Sequence, residues 1–153
     1  LPKGTVRYDG AVLSSEQLNY MYNAADAYIA PYRAEAFNMP VLEAMSVGLP
    51  VIVTSGGSTD DFVVDDNDKA TLFIKSQLVH AAKNISLIHQ AGRMLKPDRK
   101  SLYSSMVRFL RERGSIQKVS RTLNVRAALK HSWEHFAKQT KLLLGLEEYT
   151  KYT

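Results

Sequence analysis

Pro31-Tyr-Arg-Ala-Glu35-Ala-Phe37-Asn38-Met39-Pro40-Val-Leu-Glu43-Ala-Met-Ser-Val-Gly48-Leu-Pro50-Val51 is the stretch on which the fold turns. Just before it, Ala27–Ala30 reads as a short apolar strand, stopped by Pro31. A loop over Tyr32–Asn38 then leads to a helix at about Met39–Val47. Pro40 suits the first turn, where its missing N–H would have no intrahelical acceptor anyway. Gly48 fits the carboxyl-terminal cap, and Pro50 forbids continuation. Val41, Leu42, Ala44, Met45 and Val47 leave this helix little polar surface, so it should be buried. Val51–Val53 is a continuous β-branched run, the pattern of a strand covered on both faces. Strand, helix, strand at these spacings implies an α/β chain with a parallel sheet and helices on both faces.

Working outward, Val6–Tyr8 reads as an edge strand ending at Asp9-Gly10. Ser14 and Gln17 have capping-box spacing, with Leu13 and Leu18 placed as a hydrophobic staple. Leu18, Met21, Tyr22 and Ala25 follow a helical stripe. Residues 55–61 form a glycine-rich turn that can open another short helix. Asp65–Lys69 is a polar turn, and Thr71–Ile74 reads as a strand. Residues 76–98 fit no single period, with 95–98 read as a loop. Beyond them the chain reads as helical. Leu102, Met106, Phe109 and Leu110 share a face of a helix ended by Gly114. Ser115 is placed to cap the next helix, and a last one carries Trp133, Phe136 and Ala137.

The 153 residues suit one compact domain. Cysteine is absent, which excludes a disulfide scaffold, a thiol nucleophile and thiolate metal sites. No apolar run approaches the ~18–20 residues that span a bilayer. The chain begins at Leu1 with no basic-then-apolar leader, and reads as a piece of something longer. Charge is uneven. Residues 1–95 carry 7 Lys/Arg and 10 Asp/Glu, a net −3, whereas residues 96–153 carry 13 and 5, a net +8. The basic part lacks interleaved aromatics and any nucleic-acid motif, so nucleic acid is not an expected partner.

The chemistry concentrates at the start of the second helix. The first turn of a helix leaves N–H groups without intrahelical acceptors, and the macrodipole adds partial positive charge. That suits a phosphate or diphosphate. The turn lies at the carboxyl end of a parallel strand, where open α/β sheets bind ligands. Glu35 stands in the loop before the helix. Glu43 stands one turn inside a helix that otherwise looks buried, and a carboxylate there needs a hydrogen-bond partner. Vicinal hydroxyls of a ribose or sugar would serve, as would a salt bridge at a helix edge.

The segment Glu35-Ala-Phe-Asn-Met-Pro-Val-Leu-Glu43-Ala-Met-Ser-Val-Gly-Leu-Pro-Val-Ile52 resembles the signature of the group 1 (family 4) retaining glycosyltransferases. Tyr22–Ala27 resembles the helix-to-strand passage before that signature, Gly56-Gly57 the loop after it, and His131-Ser132-Trp133 a tryptophan-bearing late helix. The resemblance implies the carboxyl-terminal, Rossmann-like half of a GT-B fold, with residues 1–98 as the donor-binding domain and 99–153 as helices packed on it. It implies that Glu35 is the catalytic-site carboxylate accepting donor-sugar hydroxyls. Phe37, Asn38 and Met39 would offer backbone N–H groups to the sugar or diphosphate. Glu43 would take the ribose hydroxyls, while Gly56 and Gly57 keep a loop near the donor. The substrate implied is a nucleotide sugar such as GDP-mannose or UDP-glucose, with no cofactor and no obligatory metal. The implied partner is an amino-terminal acceptor-binding domain, upstream of Leu1. A cytoplasmic setting is implied, including peripheral association of the parent enzyme with a membrane. Two residues depart from the family pattern: Ala36 and Asn38 stand where it has glycines.

Three other patterns compete. Asp66-Asn67-Asp68 is a D-x-D in a run of turn formers. His131-Ser-Trp-Glu134-His135 matches the H-x-x-E-H of certain zinc peptidases, which requires both histidines on one helix face. Asn84-Ile85-Ser86 has the form of a glycosylation acceptor. A non-catalytic Rossmann-like binding or scaffold module is the remaining alternative.

Overall fold

A computed structural model describes residues 5–8, 10–63, 70–80 and 92–145. The elements in order are α1 (Ser15–Ala24), β1 (Tyr28–Ala30), α2 (Met39–Ser46), β2 (Val51–Thr54), a 3₁₀ turn (Ser58–Asp61), β3 (Thr71–Ile74), β4 (Ser76–His80), β5 (Arg93–Pro97), α3 (Arg99–Leu129) and α4 (Trp133–Leu143). Asp66-Asn67-Asp68 and Asn84-Ile85-Ser86 lie outside the described residues. Among the described residues no helix is long and apolar enough to cross a membrane.

β1, β2 and β3 form a parallel sheet in that order, with Ile29 beside Ile52 and Ile52 beside Leu72. This register sorts the two faces. Val51 and Val53 pack with Val41, Ala44 and Met45 of α2. Ile52, Leu72 and Ile74 pack on the other face with Leu102, Phe109 and Ile116 of α3. All four residues of β2 are buried, which is why its pattern is continuous rather than alternating. The chain is therefore α/β and Rossmann-like, with helices on both faces.

α1 starts as its sequence dictates. The Ser14 hydroxyl accepts from Gln17 N at 3.2 Å, and the Gln17 side chain accepts from Ser14 N at 2.9 Å. Three expectations are corrected. Val6–Tyr8 is not a strand but exposed, irregular chain. Residues 95–98 are not a loop, because Leu95–Pro97 belongs to β5, which pairs antiparallel with β4. Leu78 faces Leu95 in that hairpin, but Leu78 is exposed and only Leu95 is buried, so no clean alternation marks it. The two helices expected on either side of Gly114 do meet at a kink, but not at Gly114, and Ser115 does not cap the second. α3 continues through both and kinks two residues earlier, at Glu112 (φ −109°, ψ 16°). The Ser115 hydroxyl donates to the Glu112 carbonyl at 2.9 Å and satisfies that acceptor at the kink. A kink beside a Gly-Ser pair is ordinary helix behaviour.

The kinked α3 serves both edges of the sheet. Near its start, Ser101 and Ser105 bond Lys75 N (2.9 Å) and Phe73 O (3.0 Å). Past the kink, Ser120 donates to Ala70 O at 3.2 Å and Asn124 to Leu49 O at 2.8 Å. Ala70 and Leu49 precede β3 and β2, so α3 crosses the amino edge of the sheet. Its last turn brings Ala127 and Ala128 to the α2 side.

Candidate functional site

The carboxyl edge of the sheet is made by the loops after β1 and β2. The loop after β1 is held at both margins. Leu95 N donates to Arg33 O at 2.8 Å, which ties the loop to β5. The Tyr32 hydroxyl lies 2.7 Å from Thr59 Oγ1, which ties it to the 3₁₀ turn. Glu35 and Phe37 are exposed between these anchors.

Asn38 makes the turn into α2. It adopts the left-handed conformation (φ 67°, ψ 58°) and is buried to 7% exposure. No other described residue except glycine has a positive φ. Asparagine tolerates this region at low cost, which explains how it can stand where the family pattern has glycine. Its carbonyl accepts from Val41 N at 3.0 Å, so the helix begins at once with Pro40 in its first turn. The backbone of residues 37–39 thereby forms the head of α2, with the positive end of the helix dipole behind it. Phe37 is fixed from the side, its ring 5.0 Å from Phe62 and 6.4 Å from His131.

Glu43 has the partner that its burial demands. Tyr22 Oη donates to Glu43 Oε2 at 3.1 Å. The carboxylate also borders two hollows. One is about 220 Å³, lined with Leu129, His131 and Ser132. The other is about 240 Å³, lined with Leu18 and Tyr22. Tyr22 and Tyr28 meet edge to face at 5.9 Å. Burial, then the Glu43 carboxylate, holds the Tyr22 phenol well above the usual tyrosine range. Tyr28 is pushed up by burial first, then by Glu43 and Glu35.

Gly56 and Gly57 follow β2. Gly56 has φ 87°, and its N–H donates to Asp60 Oδ2 at 2.7 Å. A Cβ on Gly57 would stand 2.6 Å from the Tyr32 hydroxyl and 3.0 Å from Leu95. The two glycines therefore let the loops after β1 and β2 close on one another and on β5. Sequence reasoning missed Tyr22, Tyr32 and Asp60. Tyr22 was legible only as part of an apolar stripe, and nothing in its spacing names Glu43.

The H-x-x-E-H pattern is not displayed on one helix. His131 precedes Ser132, the cap of α4, and its Nδ1 lies 3.1 Å from Ala127 O while its ring meets Phe37 and Phe62. Among the described residues no three His, Asp or Glu converge as a cation site.

Comparison with known proteins agrees with this geometry. The family model described as "Glycosyl transferases group 1" matches residues 1–95. The chain belongs to the group 1 glycosyltransferases. This group 1 chain is 41% identical over 63 residues to the O-antigen chain mannosyltransferase B of Escherichia coli, covering 41% of the chain and 16% of that protein. It is 34% identical over 62 residues to the sulfoquinovosyl transferase SQD2 of Arabidopsis thaliana, covering 40% and 12%. Sucrose synthase 2 of Oryza sativa subsp. japonica aligns over 98% of the chain at 24% identity, which is 17% of that protein. The group 1 chain thus spans less than a fifth of the length of these curated relatives.

Proposed function

We propose that residues 1–98 form the donor-binding part of a retaining glycosyltransferase, with residues 99–153 packed on it, and that the parent enzyme moves a hexose from a nucleotide sugar to an acceptor hydroxyl. The observation that carries this reading is the left-handed turn at Asn38, which sets the head of α2 at the carboxyl edge of β1. A diphosphate placed there meets fixed N–H dipoles that need no reorganisation as it departs. Glu35 accepts hydroxyls of the donor sugar. Glu43 accepts the ribose hydroxyls through the oxygen that Tyr22 leaves free. Phe37, Asn38 and Met39 supply main-chain N–H groups, and Gly56 and Gly57 keep the neighbouring loop tight. GDP-mannose and UDP-glucose are the donors of choice, without a metal. The acceptor is held by an amino-terminal domain, and the parent works in the cytoplasm, at or near a membrane surface.

Calorimetric titration with GDP, UDP and their sugar conjugates tests this. Weak saturable binding of one nucleotide is expected, with Glu43→Ala about ten-fold weaker through loss of a charged acceptor. Heat of dilution alone at millimolar ligand, or an unchanged affinity in Glu43→Ala, overturns the reading.

A further inference from the structure

A second part of the carboxyl edge lies away from Glu35 and Glu43, where β3 passes into β4 and β5 passes into α3. A hollow of about 780 Å³ opens there, lined with Lys75, Lys96, Arg99 and Lys100, and with Ser76 and Gln77 on its wall. A smaller hollow of about 330 Å³ adjoins it, sharing Lys96 and Arg99 and adding Arg33 from the loop after β1. Among the described residues none of these five cations pairs with a carboxylate. The one acidic residue in the walls is Asp98, whose Oδ1 already caps α3 by accepting from Ser101 N at 2.7 Å.

This arrangement works against the stability of the fold. The first turn of α3 has no acidic residue and contains Arg99 and Lys100. Cations at a helix amino terminus oppose the macrodipole, whereas carboxylates there would favour it. The β4–β5 hairpin, anchored by the Asp98 N to Lys75 O bond of 2.8 Å, brings Lys75 and Lys96 beside that same terminus. Cations gathered around a concavity, together with helix N–H dipoles and a side-chain amide, match a multiply charged oxyanion.

The geometry points to a phosphate-binding site in this hollow, separate from the donor site, for a phosphorylated ligand presented at the carboxyl edge. Lys75, Lys96 and Arg99 carry the charge recognition, and the Gln77 amide offers a hydrogen bond to the same group. The site can be tested apart from the nucleotide reading, because Lys75, Lys96, Arg99 and Lys100 lie outside the Glu35–Glu43 segment, with Arg33 just before it. A free phosphorylated molecule and a phosphorylated lipid headgroup present the same chemistry.

The test titrates the chain with inorganic pyrophosphate and follows backbone amide shifts. It is repeated with vesicles of phosphatidylcholine with and without phosphatidic acid. Shifts are expected at Ser76, Gln77, Lys96 and Ser101. The charge reversals Lys96→Glu and Arg99→Glu should each weaken binding about ten-fold or more, while Arg111→Glu, on a distant turn of α3, should not. Arg99→Glu should also melt no lower than the parent, since it relieves the helix terminus. Binding of pyrophosphate names a soluble ligand, and binding of only the phosphatidic acid vesicles names a lipid headgroup. Equal binding of both probes by parent and reversal variants, or shifts confined to residues 37–41, overturns the proposal.

Discussion

At the amino edge of the three-stranded sheet, Ser120 and Asn124 reach from α3 to the carbonyls of Ala70 and Leu49, and both side chains are fully buried. At the carboxyl edge, Arg33, Glu35, Gly56 and Lys75 stand exposed on loops. Both edges present the ends of the same three parallel strands. One is closed by neutral side chains whose donors satisfy backbone acceptors of the fold. The other keeps N–H groups, carboxylates and cations turned outward. Burial of polar groups is costly unless they are hydrogen-bonded, whereas exposed ones stay solvated, so only the carboxyl edge leaves its polar groups accessible.

The sharpest way to break that contrast is Gly48→Ala. Gly48 has φ 77°, and a Cβ would lie 2.9 Å from Arg121 Cα, a main-chain atom that cannot move alone. Left-handed strain and overpacking together should cost about 3 kcal/mol. Denaturant unfolding followed by circular dichroism checks this. A loss under about 1 kcal/mol would mean that α2 and α3 are not rigidly docked at the amino edge.

Asn124→Ala comes next. It strips two buried carbonyls, Leu49 O at 2.8 Å and Ala70 O at 3.5 Å, of one donor. About 2 kcal/mol of stability should be lost, with nucleotide affinity unchanged once the protein is folded. A parallel loss of affinity at equal folded fraction would blur the two edges.

Gly57→Ala tests the other side. The new methyl meets the far end of the Tyr32 side chain rather than backbone, so Tyr32 can give way. Loss of its bond to Thr59 should cost about 1 kcal/mol, while nucleotide binding falls by more than that stability change alone would produce. Unfolding and titration on the same sample separate the two.

The smallest effect is the pH dependence of the Tyr22–Glu43 pair. The folded-state pKa of Tyr22 is raised, by burial first and then by Glu43, so its neutral form stabilises the fold. That contribution is complete below the ordinary tyrosine pKa of about 10 and disappears as pH climbs through the raised value. Tyr22→Phe should therefore leave stability less sensitive to pH in the range above about 10. Spectroscopic titration of the tyrosinates should show one phenol fewer titrating late. An identical alkaline profile in both proteins would mean that Tyr22 does not hold Glu43.

Local chemistry made much of the carboxyl edge legible. Ser14 and Gln17 cap α1 through atoms three residues apart, Pro40 and Gly48 bracket α2, and the β-branched run after Pro50 can only be a covered strand. Asn38 was legible only as a departure from the family's glycine, at a residue type for which φ above zero is cheap. The β4–β5 hairpin was not legible, since its two strands lie twelve residues apart in sequence and only Leu95 is buried. The kink in α3 was legible only to within two residues, at Gly114 rather than Glu112. A helix tolerates one glycine at a cost of about 1 kcal/mol, and packing on Ile52, Leu72 and Ile74 outweighs it.

The amino-acid sequence by itself determined the parallel strand–helix–strand unit, the turn into α2 and the two carboxylates of the signature. All of these depend on residues near one another along the chain. Tertiary structure alone decided that Tyr22 partners Glu43 across 21 residues, that Tyr32 locks the glycine loop, and that Asn124 closes the opposite edge. It also gathered Lys75, Lys96 and Arg99 from three separate elements. The physical reason is that a hydrogen bond or a charge field is read from distance in space, and local sequence preference carries no record of which distant residue the packed core will bring within reach.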